Sequence, residues 1–251
     1  MNAPPTGRPK RLLTNTNRNL ARDRIWSWSI PALAVRLPDG RTFRTCPSSG
    51  ICGRFCYARA GNYARQNVRL AHLRNLLFTL EDLHGWNLAM KAEVSHPRLL
   101  GAHVRVHAAG DFYSTDYLES WLDVMRGSPA VNYYAYTKEV VMFRNLVEPD
   151  PPPNFRWIYS YGGVHDGLLD PATDRVADVF ATEADIERAG HHSQAASDLL
   201  AVWGASPVGM AANPIPLLRK RQGRLSFREW QALQDQRRRT RTPSTGKEHL
   251  P

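Results

Sequence analysis

This sequence is short of acid, short of cysteine, and lacks any apolar run near the ~20 residues that cross a bilayer. Each shortage excludes something. Without an apolar run, no membrane-spanning role is expected. The N-terminal "MNAPPTGRPKR" carries charge with no apolar stretch behind it, so no secretory signal is expected either. Three cysteines are an odd number and too few for a disulfide framework, which points to a cytoplasmic chain with reduced thiols. Asp and Glu number 23 against 33 Lys and Arg, a formal charge of +10. That balance favours anionic partners, nucleic acid first. It also fits a merely solvated face with frayed basic ends.

What is there is organised. The 251 residues, 42% of them hydrophobic, suffice for one large core, and neither a repeat nor a clear domain boundary appears. A basic arm covers 1–24, a single α/β domain 25–218, and a basic helix and tail 219–251. "IPALAVRLPDGRTFRTC" reads as a hairpin turning at Pro38-Asp39-Gly40. Helical periodicity follows over Ala64–Leu80 and Leu83–Val94. "HVRVH" alternates as a strand, with His103, Arg105 and His107 on one face. "STDYLESWLDVMRG" is a helix with capping-box spacing at Asp116 and Glu119 and Gly127 just past its end. "VNYYAYT", "FRWIYSYGG" and "VADVFAT" read as strands, "KEVVMFRNLV" and "TEADIERAG" as helices. "LLAVWGAS" and "PVGMAA" look like terminal strands. Ser226 and Glu229 form a capping box opening a last helix that runs to Arg239.

The strand–helix rhythm from Val104 onward predicts a mostly parallel sheet, either a partial (β/α) TIM-like barrel or an open α/β sheet. Chemistry in such folds gathers at the strand ends. Here those ends carry His107 to Asp111, Tyr136-Thr137-Lys138, and Ser160 to Gly163. Asp111 beside Gly110 could bind an amino group, act as a base, or simply cap a helix. Lys138 could bind a carboxylate or phosphate, and Gly162-Gly163 could make room for a ribose or form a plain turn. His191-His192 reads as surface. Seven Trp and nine Tyr would suit base stacking, although most belong in a core.

All three thiols, Cys46, Cys52 and Cys56, fall within "CPSSGICGRFC", spaced Cys-x5-Cys-x3-Cys. Three clustered thiolates suit a thiophilic metal or an iron–sulfur cluster with one iron left open. Zinc would need a fourth ligand such as His103 or His107. Three small buried hydrophobes are the bland alternative, and the Pro/Ser/Gly-rich surroundings speak against it.

"TCPSSGICGRFCYARAGNY", "VRVHAAGDFYSTDYLESWL", "YYAYTKE", "NFRWIYSYGG" and "NPIP" together resemble the actinobacteriophage gene product 88 family, over roughly Arg11 to Phe227. That resemblance implies a phage or prophage origin. A more distant likeness is to radical S-adenosylmethionine enzymes of the spore-photoproduct-lyase-like branch. They too place three cysteines in a loop after a strand, with an aromatic residue, here Phe55, before the last. Gly110-Asp111 is similar to their Gly-Gly-Glu segment, with Asp in place of Glu. The usual spacing is Cys-x3-Cys-x2-Cys, so this loop is longer in both gaps.

The resemblance implies a [4Fe–4S] cluster on Cys46, Cys52 and Cys56, with S-adenosylmethionine near Tyr57, Gly110, Asp111, Ser160, Gly162 and Gly163. It also implies a reducing electron donor and catalysis by His107, Asp111 and Lys138 on nucleic acid or a nucleotide. Two alternatives stay open. One is a zinc-stabilised phage protein binding DNA through its basic ends. The other is a metal-independent barrel enzyme, such as a base-exchanging transglycosylase with Asp111 as nucleophile.

Overall fold

A computed structural model describes residues 8–241. Its strands are β1 (Ile25–Trp28), β2 (Ala34–Arg36), β3 (Thr42–Arg44), β4 (His103–Val106), β5 (Asn132–Thr137), β6 (Phe155–Ser160), β7 (Val176–Phe180), β8 (His192–Ser193) and β9 (Val208–Ala211). The α-helices are α1 (Arg18–Arg22), α2 (Gln66–Glu81), α3 (Leu83–Val94), α4 (Thr115–Arg126), α5 (Val140–Leu146), α6 (Glu183–Arg188), α7 (Leu199–Trp203), α8 (Pro216–Gln222) and α9 (Phe227–Arg241).

Seven strands form one sheet in the order β1-β4-β5-β6-β7-β9-β8, each neighbouring pair parallel. Parallel neighbours cannot be joined by tight turns, so the chain returns between most of them through helices. The sheet is open, with β1 and β8 at its two ends. The expected hairpin is present as a separate two-stranded sheet of β2 and β3. The strand that precedes the cysteines within the main sheet is instead β1, the "IWSW" stretch.

Pleating gives the sheet two unlike faces. On one side Val104, Val106, Tyr133 and Ala135 meet α3 and α4 around a tryptophan cluster of Trp28, Trp86 and Trp121, all fully buried. Their ring centroids lie 5.0 to 6.4 Å apart, within the range where tilted aromatic pairs attract. On the other side, Ile25, Tyr134, Ile158, Ala177 and Val208 are covered by Leu20 of α1 and by Ala201 and Val202 of α7. One step further along the same strands come Arg105, Tyr136, Ser160, Val179 and Met210, which line a cavity instead.

Several expectations need correcting. "LLAVWGAS" is the helix α7, not a strand. A short apolar run carries no period of its own, and here Ala201 and Val202 plug the sheet face. The α4 cap is Ser114, whose Oγ accepts from Tyr117 N at 3.3 Å, not the Asp116/Glu119 pair. Gly127 is the C-cap itself, in a right-handed conformation. The N-terminal arm is not free along its length, because Leu12 and Leu13 are buried in the main core. The Ser226/Glu229 box is present and reciprocal: Ser226 N donates to Glu229 Oε2 (2.7 Å) and Glu229 N to Ser226 Oγ (3.2 Å). The ends of the expected arm and tail, 1–7 and 242–251, lie outside the described residues. Among the described residues no helix is long and apolar enough to cross a membrane.

Candidate functional site

The cysteine loop has almost no regular structure beyond short 3-10 turns, so its backbone groups need partners from elsewhere. Three strand ends and one helix supply them. Leu33 N donates to Cys46 Sγ at 3.2 Å. Ser48 donates to the Glu139 carboxylate through both N (2.9 Å) and Oγ (2.7 Å). The Gly162 carbonyl accepts from Gly50 N (3.1 Å) and Cys52 N (3.0 Å). Ile51 N donates to Gln231 Oε1 of α9 at 2.7 Å. A Cβ on Gly50 would sit 2.1 Å from that Gln231 oxygen, so only glycine admits this approach. Phe55 completes the attachment by packing on Phe227 and Trp230, with centroids at 5.6 and 5.7 Å.

So held, the loop walls a half-open cavity of about 620 Å³ at the C-terminal ends of the parallel strands. Cys46, Cys52 and Cys56 all line it, and all are free thiols. Burial, then the charge of Asp111, then the other two cysteines push the Cys46 thiol up. Burial and Cys52 push Cys56 up to about 11. The Cys46 and Cys56 thiolates are therefore opposed by burial and by neighbouring negative charge, which a bound cation would relieve.

Opposite the thiols stand Asp111 and Lys138. The Asp111 carboxylate accepts from Phe112 N (2.9 Å), Thr137 Oγ1 (2.8 Å) and Lys138 N (3.0 Å). Burial and the nearby Glu139 charge nevertheless push it up to about 7. Lys138 Nζ donates to Ser160 Oγ at 2.9 Å. Burial works against the Lys138 charge, but Cys52, Asp111, Asp166 and Cys46 outweigh it and raise its pKa. Gly110 takes φ +87°, and a Cβ there would meet Ile30 Cγ1 at 2.3 Å. Thus Asp111 can reach the cavity only from a glycine-led turn.

The remaining predicted residues divide. Tyr57 lines the cavity, its hydroxyl donating to Ala108 O at 2.8 Å, and its ring meets that of Tyr63 at 5.6 Å. His107 adjoins the cavity but leaves the strand at φ +64°. Its Nε2 pairs with Tyr117 OH at 3.0 Å and its ring packs on Phe112 at 4.6 Å. Burial pushes it down to about 3, so it is neutral. Gly162 and Gly163 are not on the cavity wall. Their N–H groups donate to the Asp166 carboxylate (2.7 and 2.9 Å), and the Gly162 carbonyl carries the cysteine loop. Their place is under the cysteine loop. His191 sits by Phe180 and His192 is exposed on β8.

Sequence reasoning missed Glu139, Asp166 and Gln231, the acceptors that fasten the loop. It also missed Asp198, which pairs with Arg105 at 3.1 Å and receives the Tyr134 hydroxyl. Only Asp166, close after a Gly-Gly turn, left a local signal.

Among the described residues, no group of three or more His, Cys, Asp or Glu side chains is placed to hold a metal ion. The donor set does not fit a closed zinc site: His107 is turned into the aromatic core and His103 lies off the cavity wall. Cys46, Cys52 and Cys56 are three free thiols lining one cavity, with no fourth cysteine in the chain, and thiols are the donor type a four-iron cluster takes.

Comparison with known proteins gives a consistent assignment. The family model described as Gene product 88 matches residues 10–242. The Gene 88 protein of Mycobacterium phage L5 is 26% identical over 124 residues, 43% of this chain and 48% of that protein. The Gene 88 protein of Mycobacterium phage D29 is 25% identical over 124 residues, with the same coverage. The aligned part spans about half the length of these curated relatives. No solved structure matches the chain significantly.

Proposed function

We propose that this chain, which belongs to the gene product 88 family of phage proteins, is an iron–sulfur enzyme acting on nucleic acid or a nucleotide-type substrate. The observation that carries this reading is that Cys46, Cys52 and Cys56, the chain's three thiols, line the same cavity as Asp111 and Lys138. The strand order supports it. A parallel sheet wound in one direction through β1-β4-β5-β6-β7 has the course of a partial (β/α) barrel, with its chemistry at the C-terminal ends.

Cys46, Cys52 and Cys56 would hold a [4Fe–4S] cluster. Such a group would supply one-electron reduction of S-adenosylmethionine, the electron coming from a reducing donor. The chain's own residues prepare the place. Lys138, tethered to Ser160, sets a buried cation among the thiolates and offsets their charge. Asp111 offers a carboxyl that can hold or release a proton near neutrality, or receive an ammonium group. Gly110 gives that carboxyl its approach, and Tyr57 closes the wall with its hydroxyl tied to Ala108. Glu139 does no chemistry in this reading; it fastens Ser48 and keeps the loop in place. His107, neutral and bound through Nε2 to Tyr117, orients the β4–α4 turn.

Two rival readings account for less. A zinc-stabilised DNA-binding protein would have to take its fourth ligand from Asp111, whose carboxylate already accepts three hydrogen bonds. A transglycosylase with Asp111 as nucleophile must free a carboxylate that already accepts three hydrogen bonds.

The test is anaerobic reconstitution with iron and sulfide, followed by metal analysis and absorption spectroscopy. The expected result is a brown protein with about four irons per chain, reduced to background by Cys46→Ala, Cys52→Ala or Cys56→Ala. Iron-free, colourless protein from folded wild type defeats the reading.

A further inference from the structure

The cavity wall carries two groups of charge, and the proposed chemistry uses only one of them. The charges that act most on Lys138 are those of Cys52, Asp111, Asp166 and Cys46. Those that act most on Arg105 are different: Asp198, Tyr57, Tyr134 and Tyr136. Tyr57 and Tyr63 lie within electrostatic reach of both Cys56 and the Arg105–Asp198 pair, so they link the two groups.

The second group is as closely bonded as the first. Arg105, on the cavity face of β4, lays its guanidinium over the Tyr136 ring at 4.9 Å and donates from Nη1 to Asp198 Oδ2 at 3.1 Å. The Tyr134 hydroxyl donates to the same oxygen, and the Tyr136 hydroxyl donates to Gln194 Oε1. Arg105, Tyr136, Gln194 and Asp198 all line the cavity, as do Tyr57 and Tyr63. Two polar atoms in this network keep capacity for a ligand. Among the described residues, Asp198 Oδ1 receives only the Tyr136 hydroxyl, at 3.4 Å, and Gln194 Nε2 has no hydrogen-bond partner. One is an acceptor and the other a donor, and Tyr136 touches both side chains.

Charge decides what they can receive. The cations lining the cavity are Arg22, Arg105 and Lys138. Arg22 is paired with Asp23 at 3.2 Å and Arg105 with Asp198 at 3.1 Å, while Lys138 belongs to the thiol group. A phosphate beside Gln194 would find no uncompensated cation and would face the Asp198 carboxylate. An uncharged ring with an N–H beside an acceptor suits both atoms, and the tyrosine rings offer it aromatic walls.

We propose that Arg105, Asp198, Gln194 and Tyr136 form a second subsite, which binds the hydrogen-bonding edge of an uncharged nucleobase and leaves the phosphate outside. Gln194 Nε2 donates to a carbonyl or ring nitrogen of the base, and Asp198 Oδ1 accepts from its N–H. Arg105 is a positioning residue that holds the Asp198 carboxylate in place. This subsite rests on reading the cavity as the site of a nucleotide-type substrate, and it names the part of that substrate which enters.

The test is isothermal titration calorimetry on metal-free protein with adenosine, guanosine, cytidine and uridine, their 5′-monophosphates, and ribose 5-phosphate. The expected result is saturable binding of at least one nucleoside, a monophosphate within about threefold of it, and no saturation by ribose 5-phosphate. Gln194→Ala, on a half-buried loop position, should weaken the nucleoside about fivefold, as for one neutral hydrogen bond. Asp198→Asn should weaken it about tenfold or more, as for a charged one. It should also bring ribose 5-phosphate into range, because Arg105 then lacks its counter-charge. Lys91→Gln, on the helical side, should bind as wild type does, and urea midpoints show that each variant is folded. The inference is overturned by folded wild type that binds no nucleoside, or by ribose 5-phosphate binding as tightly as the nucleoside. Unchanged nucleoside binding in both Gln194→Ala and Asp198→Asn overturns it too. Iron content after reconstitution separates this claim from the cluster. Protein that takes up iron yet binds no nucleoside loses the subsite alone; protein that takes up no iron but binds nucleoside through Gln194 and Asp198 loses the cluster alone.

Discussion

The two faces of the parallel sheet are built from the same strands and have opposite economies. On the helical face, residues alternate into a closed aromatic core where Trp28, Trp86 and Trp121 touch one another and α4 seals the layer. On the cavity face, the same alternation places Arg105, Tyr136 and Ser160, together with thiols and carboxylates delivered by loops. Burial stabilises the first face directly. The second tolerates buried charge only because each group has a designated partner: Asp111 with Thr137, Glu139 with Ser48, Lys138 with Ser160, Arg105 with Asp198. The aromatic core and the cavity thus lie on opposite sides of one sheet, and substitutions should separate them.

The largest separation is expected between Trp121→Ala and Cys52→Ala. Removing a fully buried indole leaves a cavity inside a cluster that cannot collapse, at about 3–5 kcal/mol. Cys52 is only partly buried at a cavity that is already open, so its loss should change stability by about 0.5 kcal/mol or less. Urea denaturation of the metal-free protein measures both. Comparable losses would mean that the two faces are not energetically distinct.

Much of the first face was legible in the sequence because it obeys periodicity. The strands "HVRV", "NYYAYT" and "FRWIYS" and the helices α2, α3 and α9 are where their patterns place them. Less of the second face was legible. The thiols were conspicuous by spacing, and Gly110-Asp111 and Lys138 by their position at strand ends. The acceptors Glu139 and Gln231 were not, because they act on a loop 91 and 180 residues away and carry no local pattern. Gly162-Gly163 stayed ambiguous for the same reason: a turn that supports another loop looks the same in sequence as one that cradles a ligand. The helix α7 misled because five residues are too few to show a period.

A second test uses pH to address the cavity face alone. Asp111 is pushed up to about 7 in the folded protein, against about 4 in an unfolded chain. The folded state then binds more protons than the unfolded state between these values. The contribution is fully present below about pH 4 and is lost as pH rises through about 7. His107, pushed down to about 3, acts in the opposite sense, stabilising above its unfolded pKa of about 6.5 and losing that as pH falls. Comparing wild type with Asp111→Asn cancels the histidine, which both share. The urea midpoint of wild type should fall relative to Asp111→Asn between pH 4 and pH 7. A constant difference across that window would place Asp111 in contact with water and remove it from the buried site.

The smallest expected effect concerns the seam between the two regions, where α9 reaches across to the cysteine loop. Gln231→Ala removes the acceptor of Ile51 N, one buried hydrogen bond at about 1 kcal/mol. The consequence should nonetheless be concentrated, because Gln231 and the Phe55 contacts with Phe227 and Trp230 are what α9 gives the loop. Local opening needs less free energy than global unfolding, so the thiols should report the change before the fold does. In Gln231→Ala, the reaction of Cys52 with a disulfide reagent should accelerate about fivefold, while the urea midpoint of the helical core barely moves. Equal effects on both would show that α9 stabilises the whole domain. Faster thiol reaction alone would establish it as the strap that holds the cysteine loop against the sheet.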